Sequence, residues 1–165
     1  MNALNKFIKR IFDMICSGLG LIVLSPFLIF VAIRIKMGSD GPVFFKQIRV
    51  GKNGKEFKIL KFRTMVVNAE KLGRQITVGN DNRITKIGAF LRKYKIDELP
   101  QLINVFKGDM SLVGPRPEVP RYVNMYTEEQ RKVLDVKPGI TDLASIRYRD
   151  ENELLGKAEN PDEFY

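Results

Sequence analysis

Histidine and tryptophan are absent from the 165 residues, and cysteine occurs once. Without histidine, the side chain that titrates near neutral pH and most often ligates metals is missing, so acid and base chemistry must run on carboxylates, Lys, Tyr or Ser. The lone Cys16 excludes an internal disulfide and a thiolate zinc site, and its apolar surroundings predict a buried apolar side chain in a chain suited to a reducing compartment. No glycine-rich phosphate loop of the Walker type occurs. Acidic residues are scarce in one part of the chain: residues 1–100 hold 19 Lys and Arg against 7 Asp and Glu, while the remainder holds 9 against 12. The net charge of +9 therefore sits in the first hundred residues, whose partner is expected to be anionic. At this length one domain is expected.

What is present begins with an uncharged run, "MICSGLGLIVLSPFLIFVAI", from Met14 to Ile33. As a straight helix it would be roughly 30 Å long, just enough to cross a bilayer. Arg34, Ile35 and Lys36 follow it rather than a small-residue cleavage site, so it does not read as a cleaved signal peptide. Basic residues flank both ends, with Lys6, Lys9 and Arg10 before it and Arg34, Lys36, Lys46 and Arg49 after it. That symmetry gives the positive-inside rule nothing to act on and suits a re-entrant segment with both ends cytoplasmic. Ser25 and Pro26 near its middle predict a helix break, because proline removes a backbone donor and clashes with the preceding turn. A kinked spanning helix is the competing reading. Asp13, at the edge of the run, favours a shallow position, since a carboxylate is costly at the hydrocarbon centre.

Residues 42–65 alternate apolar and charged positions around Asn53-Gly54, which predicts a β-hairpin. Phe44, Phe57 and Phe62 among Lys and Arg could stack bases, so a membrane-anchored cationic module binding nucleic acid or acidic lipid is the rival function. Next, "VVNAEKLGRQ" reads as a short helix. "TKIGAFLRKYKI" reads as an amphipathic one with Ile87, Phe90, Leu91 and Tyr94 on a shared face, at a membrane interface or on a core. "QLINVF" continues as a helix that Gly108 ends.

The chemistry concentrates in "KIDELPQLINVFKGDMSLVGPRPE", residues 95–118. Asp97 and Glu98 could be a helix cap and a first-turn acid. Against that stands Arg116, held between Pro115 and Pro117, which loses little freedom on gripping an anion bidentately. Two carboxylates, a fixed guanidinium and many cations suit phosphate chemistry, in which a carboxylate can attack phosphorus.

Together, Ser25-Pro26, "GPVFFKQIRVGKNGKEFKILKFRTM", "DELPQ", "GDMSLVGPRP" and "VKPGIT" closely resemble the bacterial sugar transferases, small monotopic polyprenol-phosphate phosphoglycosyltransferases. The resemblance implies transfer of a phosphosugar from a UDP-sugar to polyprenol (undecaprenyl) phosphate with release of UMP, the first membrane step of surface glycoconjugate synthesis. It implies Asp97 as the covalent nucleophile and a Mg²⁺ ligand, Glu98 as the proton-handling neighbour, and Mg²⁺ as cofactor. Arg116 and Arg92 would meet phosphates, and Lys61, Arg63 and Arg149 would contact nucleotide or lipid phosphate. The implied fold is α+β and mainly helical: a re-entrant membrane helix broken at Ser25-Pro26 (residues 1–36), then a cytoplasmic catalytic domain (residues 37–165) with interfacial amphipathic helices and a short β-hairpin around the active site. The expected setting is the cytoplasmic face of a bacterial inner membrane, among phospholipids and without nucleic acid, and a homo-oligomer is compatible with it. Two stretches depart from the pattern. "DLASIRYRDE" follows "KPGIT" where many members read differently, which leaves the sugar open, and "NPDEFY" reads as the start of a helix, as in a truncated or short variant.

Overall fold

The structure, a computed structural model, describes residues 2–69 and 81–142. Its longest element is α1, Ala3–Gly38, which runs without interruption through Pro26. The break expected at Ser25-Pro26 is therefore not an interruption of the helix. Proline at position 26 deprives the Ile22 carbonyl of its usual N–H partner, and the Ser25 hydroxyl donates to that carbonyl at 2.8 Å. The local repair keeps the helix whole.

One stripe of α1 lies against the rest of the protein. Near the N-terminus, Arg10 donates to the Val105 and Phe106 carbonyls, each at 2.7 Å. Asp13 is buried, accepting from Ser111 Oγ at 2.8 Å and from the Leu112 N–H at 3.2 Å, and pairing with Lys9 at 3.2 Å. Lys9 also donates to Ser111 Oγ. Near the C-terminus, Val31 and Ile35 are sealed into a cluster with Phe62 and Leu91, against which Leu28, Ile87 and Ile96 pack. Each such side chain contributes about 1.5–3 kcal/mol of burial. The opposite stripe, including Leu19, Ile22, Val23, Phe30, Ile33 and Met37, is exposed and apolar. By length and composition α1 could cross a membrane.

The hairpin forms as its sequence predicts. Strands β1, Phe44–Val50, and β2, Glu56–Phe62, pair antiparallel with Phe44 opposite Phe62 and Val50 opposite Glu56. The loop between them turns on Asn53 and Gly54, both with positive φ, 56° and 76°. Its aromatic residues do not form a stacking platform. Phe62 is buried and stacked on Phe44 at 5.5 Å, and Phe57 packs on the Ile59, Val105 and Met110 cluster, so of the three aromatics that favoured nucleic-acid binding Phe44 alone is exposed.

Helix α2, Lys86–Lys93, starts at Thr85, whose hydroxyl caps the Gly88 N–H at 3.0 Å. Its expected apolar face divides. Leu91 is fully buried with Ile87 beside it, whereas Phe90 and Tyr94 are exposed and lean on each other at 4.8 Å. A 3-10 turn, Ile96–Glu98, leads into α3, Gln101–Lys107, closed by Gly108 at φ 96°. Strand β3, Ser111–Val113, pairs parallel with β4, Gly139–Thr141, and the short helices α4, Pro120–Val123, and α5, Glu128–Arg131, lie between them in sequence. The architecture is thus mixed α/β, with about half of the described residues helical. The helix expected over residues 66–75 lies largely outside the described residues, as do Arg149 and the "NPDEFY" end.

Candidate active site

The carboxylates of the opening motif sit where three elements meet. Lys95 adopts a left-handed conformation, φ 56°, and reverses the chain after α2. Ile96 then packs into the cluster that holds Val31 and Ile35 of α1, which places Asp97 one residue from the membrane-type helix. Asp97 is 8% exposed, and its Oδ1 has no hydrogen-bond partner among the described residues. It does not cap α3, whose N-cap is Pro100 with no side-chain bond. The helix-cap reading of Asp97 therefore fails.

Glu98 points to β2, where its Oε1 accepts from Lys61 Nζ at 2.7 Å. The two adjacent carboxyl groups consequently differ. Burial pushes the Asp97 carboxyl above the usual range, and the Glu98 charge adds to this while Lys61 and Arg92 oppose it. For Glu98 burial also pushes upward, but Lys61, by charge and hydrogen bond, with Arg116 and Lys95, outweighs it and holds the group low. Arg92 donates from Nε to Thr64 Oγ1 at 3.0 Å, and burial lowers its own pKa against the pull of Asp97 and Asp81. Lys61 and Arg92 thus act electrostatically on Asp97, and Lys61 and Arg116 on Glu98.

The Arg116 clamp is tighter than two prolines alone would make it. The Pro115 carbonyl accepts from the Gly139 N–H at 2.9 Å, and the Pro117 carbonyl accepts from Arg49 Nη1 at 3.0 Å. Arg49 also pairs with Glu118 at 3.6 Å, and the Glu118 carbonyl accepts from the Val50 N–H at 2.9 Å. "GPRP" is thereby held on one side by "KPG" and on the other by the end of β1. The approach on the first side needs two glycines, since a Cβ on Gly139 would lie 2.1 Å from the Gly114 nitrogen and one on Gly114 would lie 2.4 Å from the Lys137 carbonyl oxygen.

Arg63 is placed elsewhere. Its guanidinium donates to the Asp40 carbonyl at 2.7 Å, the Ser39 carbonyl at 2.8 Å and Ser39 Oγ at 2.9 Å, closing the turn after α1. Its terminal nitrogens are occupied with the backbone rather than presented beside Asp97. Arg149 lies outside the described residues. Ser25 and Pro26 lie on α1 and serve the helix. Sequence reasoning passed over Thr64 and Asn104 and used Arg49 only as a charge flanking the apolar run; Asn104 left a signal, a polar residue set between Ile103 and Val105.

Among the described residues no three His, Cys, Asp or Glu side chains gather as a metal cluster. The Asp97 oxygen without a partner still suits Mg²⁺, which takes one or two carboxylates and completes its shell with water and phosphate oxygens.

The chain is 42% identical over 173 residues to the UDP-glucose:undecaprenyl-phosphate glucose-1-phosphate transferase of Escherichia coli K12, covering 99% of this chain and 36% of that protein. It is 43% identical over 145 residues to the UDP-N-acetylgalactosamine-undecaprenyl-phosphate N-acetylgalactosaminephosphotransferase of Aeromonas hydrophila, covering 85% of this chain and 34% of that protein. It is 49% identical over 149 residues to the exopolysaccharide production protein PSS of Rhizobium leguminosarum bv. phaseoli, covering 85% of this chain and 74% of that protein. The chain thus spans about a third of the length of the first two. Residues 4–165 match the family described as Bacterial sugar transferase, and with Asp97, Glu98 and the Arg116 clamp all inside that match, the chain belongs to the bacterial sugar transferase family.

Proposed function

We propose that the chain transfers a phosphosugar from a UDP-sugar to polyprenol phosphate, of which undecaprenyl phosphate is the form named for its relatives. The observation that carries this reading is Asp97, a buried carboxylate with an unpartnered oxygen, surrounded by the charges of Lys61, Arg92 and the Glu98–Lys61 pair. In the first half-reaction an Asp97 oxygen attacks the phosphorus that bears the sugar. The bond to the bridging oxygen breaks, UMP leaves with both bonding electrons, and an aspartyl phosphosugar remains. In the second, an oxygen of the lipid phosphate attacks the same phosphorus, releases the Asp97 carboxylate and gives polyprenyl diphosphate sugar. Glu98, kept ionised by Lys61, takes the proton of the attacking lipid phosphate. Arg116, fixed by its clamped neighbours, stabilises charge on the transferred phosphoryl group, and Arg92 meets a phosphate beside it. Asp97 would hold Mg²⁺ together with donor phosphate oxygens, and the bound ion supplies charge neutralisation there. The relatives' names differ in the sugar, so the donor is proposed only as a UDP-sugar.

The membrane part of the proposal is monotopic: α1 enters from the cytoplasmic face without crossing. Arg10 near one end and Ile35 near the other both pack on the catalytic body, so a perpendicular crossing would drag α3 and the hairpin into the hydrocarbon. The bare apolar stripe of α1 then meets phospholipid acyl chains, and the exposed Phe90 and Tyr94 of α2 suit the interface.

The test is to incubate the full chain, in detergent or nanodiscs with Mg²⁺, with a panel of UDP-sugars and no lipid acceptor, then map peptides by mass spectrometry. A phosphosugar on Asp97 is expected, with UMP released in equal amount. If Asp97→Asn still yields UMP at the parent rate in a reaction supplied with polyprenol phosphate, the proposal is wrong.

A further inference from the structure

Asn104 is 2% exposed in the middle of α3, among the apolar residues Ile59, Val105 and Met110. A buried amide left without partners carries the unmet cost of its desolvation. Asn104 finds them across an element boundary. Its Oδ1 accepts from the Leu60 N–H at 3.0 Å, and its Nδ2 donates to the Lys58 carbonyl at 2.8 Å. Residues 58 and 60, two apart on β2, turn these groups to the same strand edge, the one that β1 does not cover. One primary amide, with an acceptor and a donor side by side, completes that edge as a neighbouring strand would. Leucine could do neither, and an ionised aspartate could not donate to Lys58.

The backbone of Asn104 is anchored as firmly. Its carbonyl accepts from the N–H groups of Gly108, Asp109 and Met110 at 3.0, 3.0 and 3.3 Å. The residue thus ties the end of α3 to β2. The start of the same segment carries Glu98, and the residue after Leu60 is Lys61, so the tie lies across the two chains whose side chains meet at 2.7 Å. The Lys61 and Glu98 side chains are 21% and 23% exposed. Ile59 packs with Val105 and Met110, and Phe62 with Ile96, but those apolar contacts can slide, whereas the Asn104 amide fixes which residues of β2 stand against α3. We propose that Asn104 is a positioning residue for the transferase reaction: it sets β2 against α3 so that Lys61 meets Glu98. This rests on the functional reading above.

A purely structural role would lower stability alone, whereas a positioning role also separates Lys61 from Glu98 in protein that is still folded. The experiment uses the full chain in detergent micelles, in the parent, Asn104→Ala, Asn104→Asp, Lys61→Met and Asn104→Ala/Lys61→Met, and reads by peptide mass spectrometry the yield of a zero-length carbodiimide cross-link between Lys61 and Glu98. Circular dichroism shows which variants are folded. The cross-link is expected to fall several-fold in folded Asn104→Ala and Asn104→Asp and to be absent from Lys61→Met. UMP release should follow, with kcat about tenfold lower in Asn104→Ala, KM for the donor little changed, and the double variant no slower than Lys61→Met. A cross-link that stays at the parent yield in both folded Asn104 variants overturns the inference whatever the activity, and so does a loss of kcat in the double variant equal to the product of the single losses. If the cross-link falls as stated while no UDP-sugar gives UMP even with the parent chain, the positional link stands and the functional reading is what fails.

Discussion

Replacing Gly88 by alanine tests how α2 delivers Arg92 to the site. A Cβ at this position would lie 2.0 Å from the Thr64 carbonyl oxygen and 2.7 Å from its carbon, against about 3.4 Å for ordinary contact. The helix would have to withdraw by more than an ångström, because the Thr64 carbonyl cannot yield easily: it already accepts from the Thr85 N–H at 2.9 Å and from Thr85 Oγ1 at 3.3 Å. Overpacking of this kind costs about 1–3 kcal/mol, while alanine returns up to about 1 kcal/mol of helix propensity. The steric term wins, leaving a net loss of about 1–2 kcal/mol. For a chain of this size that lowers Tm by about 2–8 °C. The same withdrawal stretches the bond from Arg92 to Thr64, 3.0 Å in the parent, and moves the guanidinium charge away from Asp97. Loss of a transition-state contact worth about 1.4–2.8 kcal/mol would lower kcat about ten- to a hundredfold. Since the chain has no tryptophan, unfolding is best followed in detergent by circular dichroism, alongside UMP release. A Gly88→Ala protein with the parent's Tm and the parent's kcat would refute the packing of α2 on Thr64.

Asp97→Asn should stabilise the protein while removing activity. The folded-state pKa of Asp97 is raised, so the folded form holds its proton more readily, and that contribution is present at low pH and lost as pH rises through the folded pKa. The parent therefore carries a penalty at pH 7 that asparagine lacks. A Tm higher by about 2–4 °C at pH 7 is expected, per roughly 1 kcal/mol, with the gap closing as the pH falls toward 4. An unchanged or lower Tm at pH 7 would count against the buried, unpartnered carboxylate. On α1, Val23 is 75% exposed on the bare stripe, so Val23→Lys should leave the detergent-solubilised fold and Tm intact but weaken membrane attachment, by at most about 2.5–3.5 kcal/mol. Liposome flotation checks it, and equal flotation of parent and variant would place that stripe away from lipid.

The parts of the fold that were legible in the sequence are those decided by neighbours in the chain. Asn53 and Gly54 supply two successive positive-φ residues and so locate the hairpin, and Gly108 supplies the left-handed end of α3. The continuity of α1 was not legible, because it turns on a Ser25 hydroxyl reaching the carbonyl that Pro26 orphans. Periodicity grouped Ile87, Phe90, Leu91 and Tyr94, yet the body reaches only Ile87 and Leu91, and the width of a contact is a tertiary property. The same holds for Arg63, whose role was set by a turn two dozen residues earlier in the chain, and for the three-residue strands β3 and β4, which no local pattern announces. At the site, residue types and spacing singled out Asp97, Glu98 and Arg116. The pairing of Lys61 with Glu98, and the hold of Gly139 and Arg49 on the arginine's neighbours, come from contacts distant in sequence.

In the proposed mechanism, that pairing decides which carboxylate reacts. Two adjacent acids in a part-buried site compete for the same cations, and the one that gains a direct ammonium contact becomes the better stabilised anion and the poorer nucleophile. Lys61 at 2.7 Å makes Glu98 that anion. Asp97 keeps the longer-range charges of Lys61 and Arg92 but no hydrogen bond at Oδ1, so its ionised form is the less satisfied of the two. A bond from Oδ1 to phosphorus removes that burden, as protonation does. Ile96, the residue before Asp97, is packed against Val31 and Ile35, so the backbone that carries the carboxyl group is held against α1. The apolar helix that bears the exposed stripe therefore also anchors the segment that carries Asp97, so in the proposed mechanism membrane attachment would be coupled to the reactivity of the carboxylate.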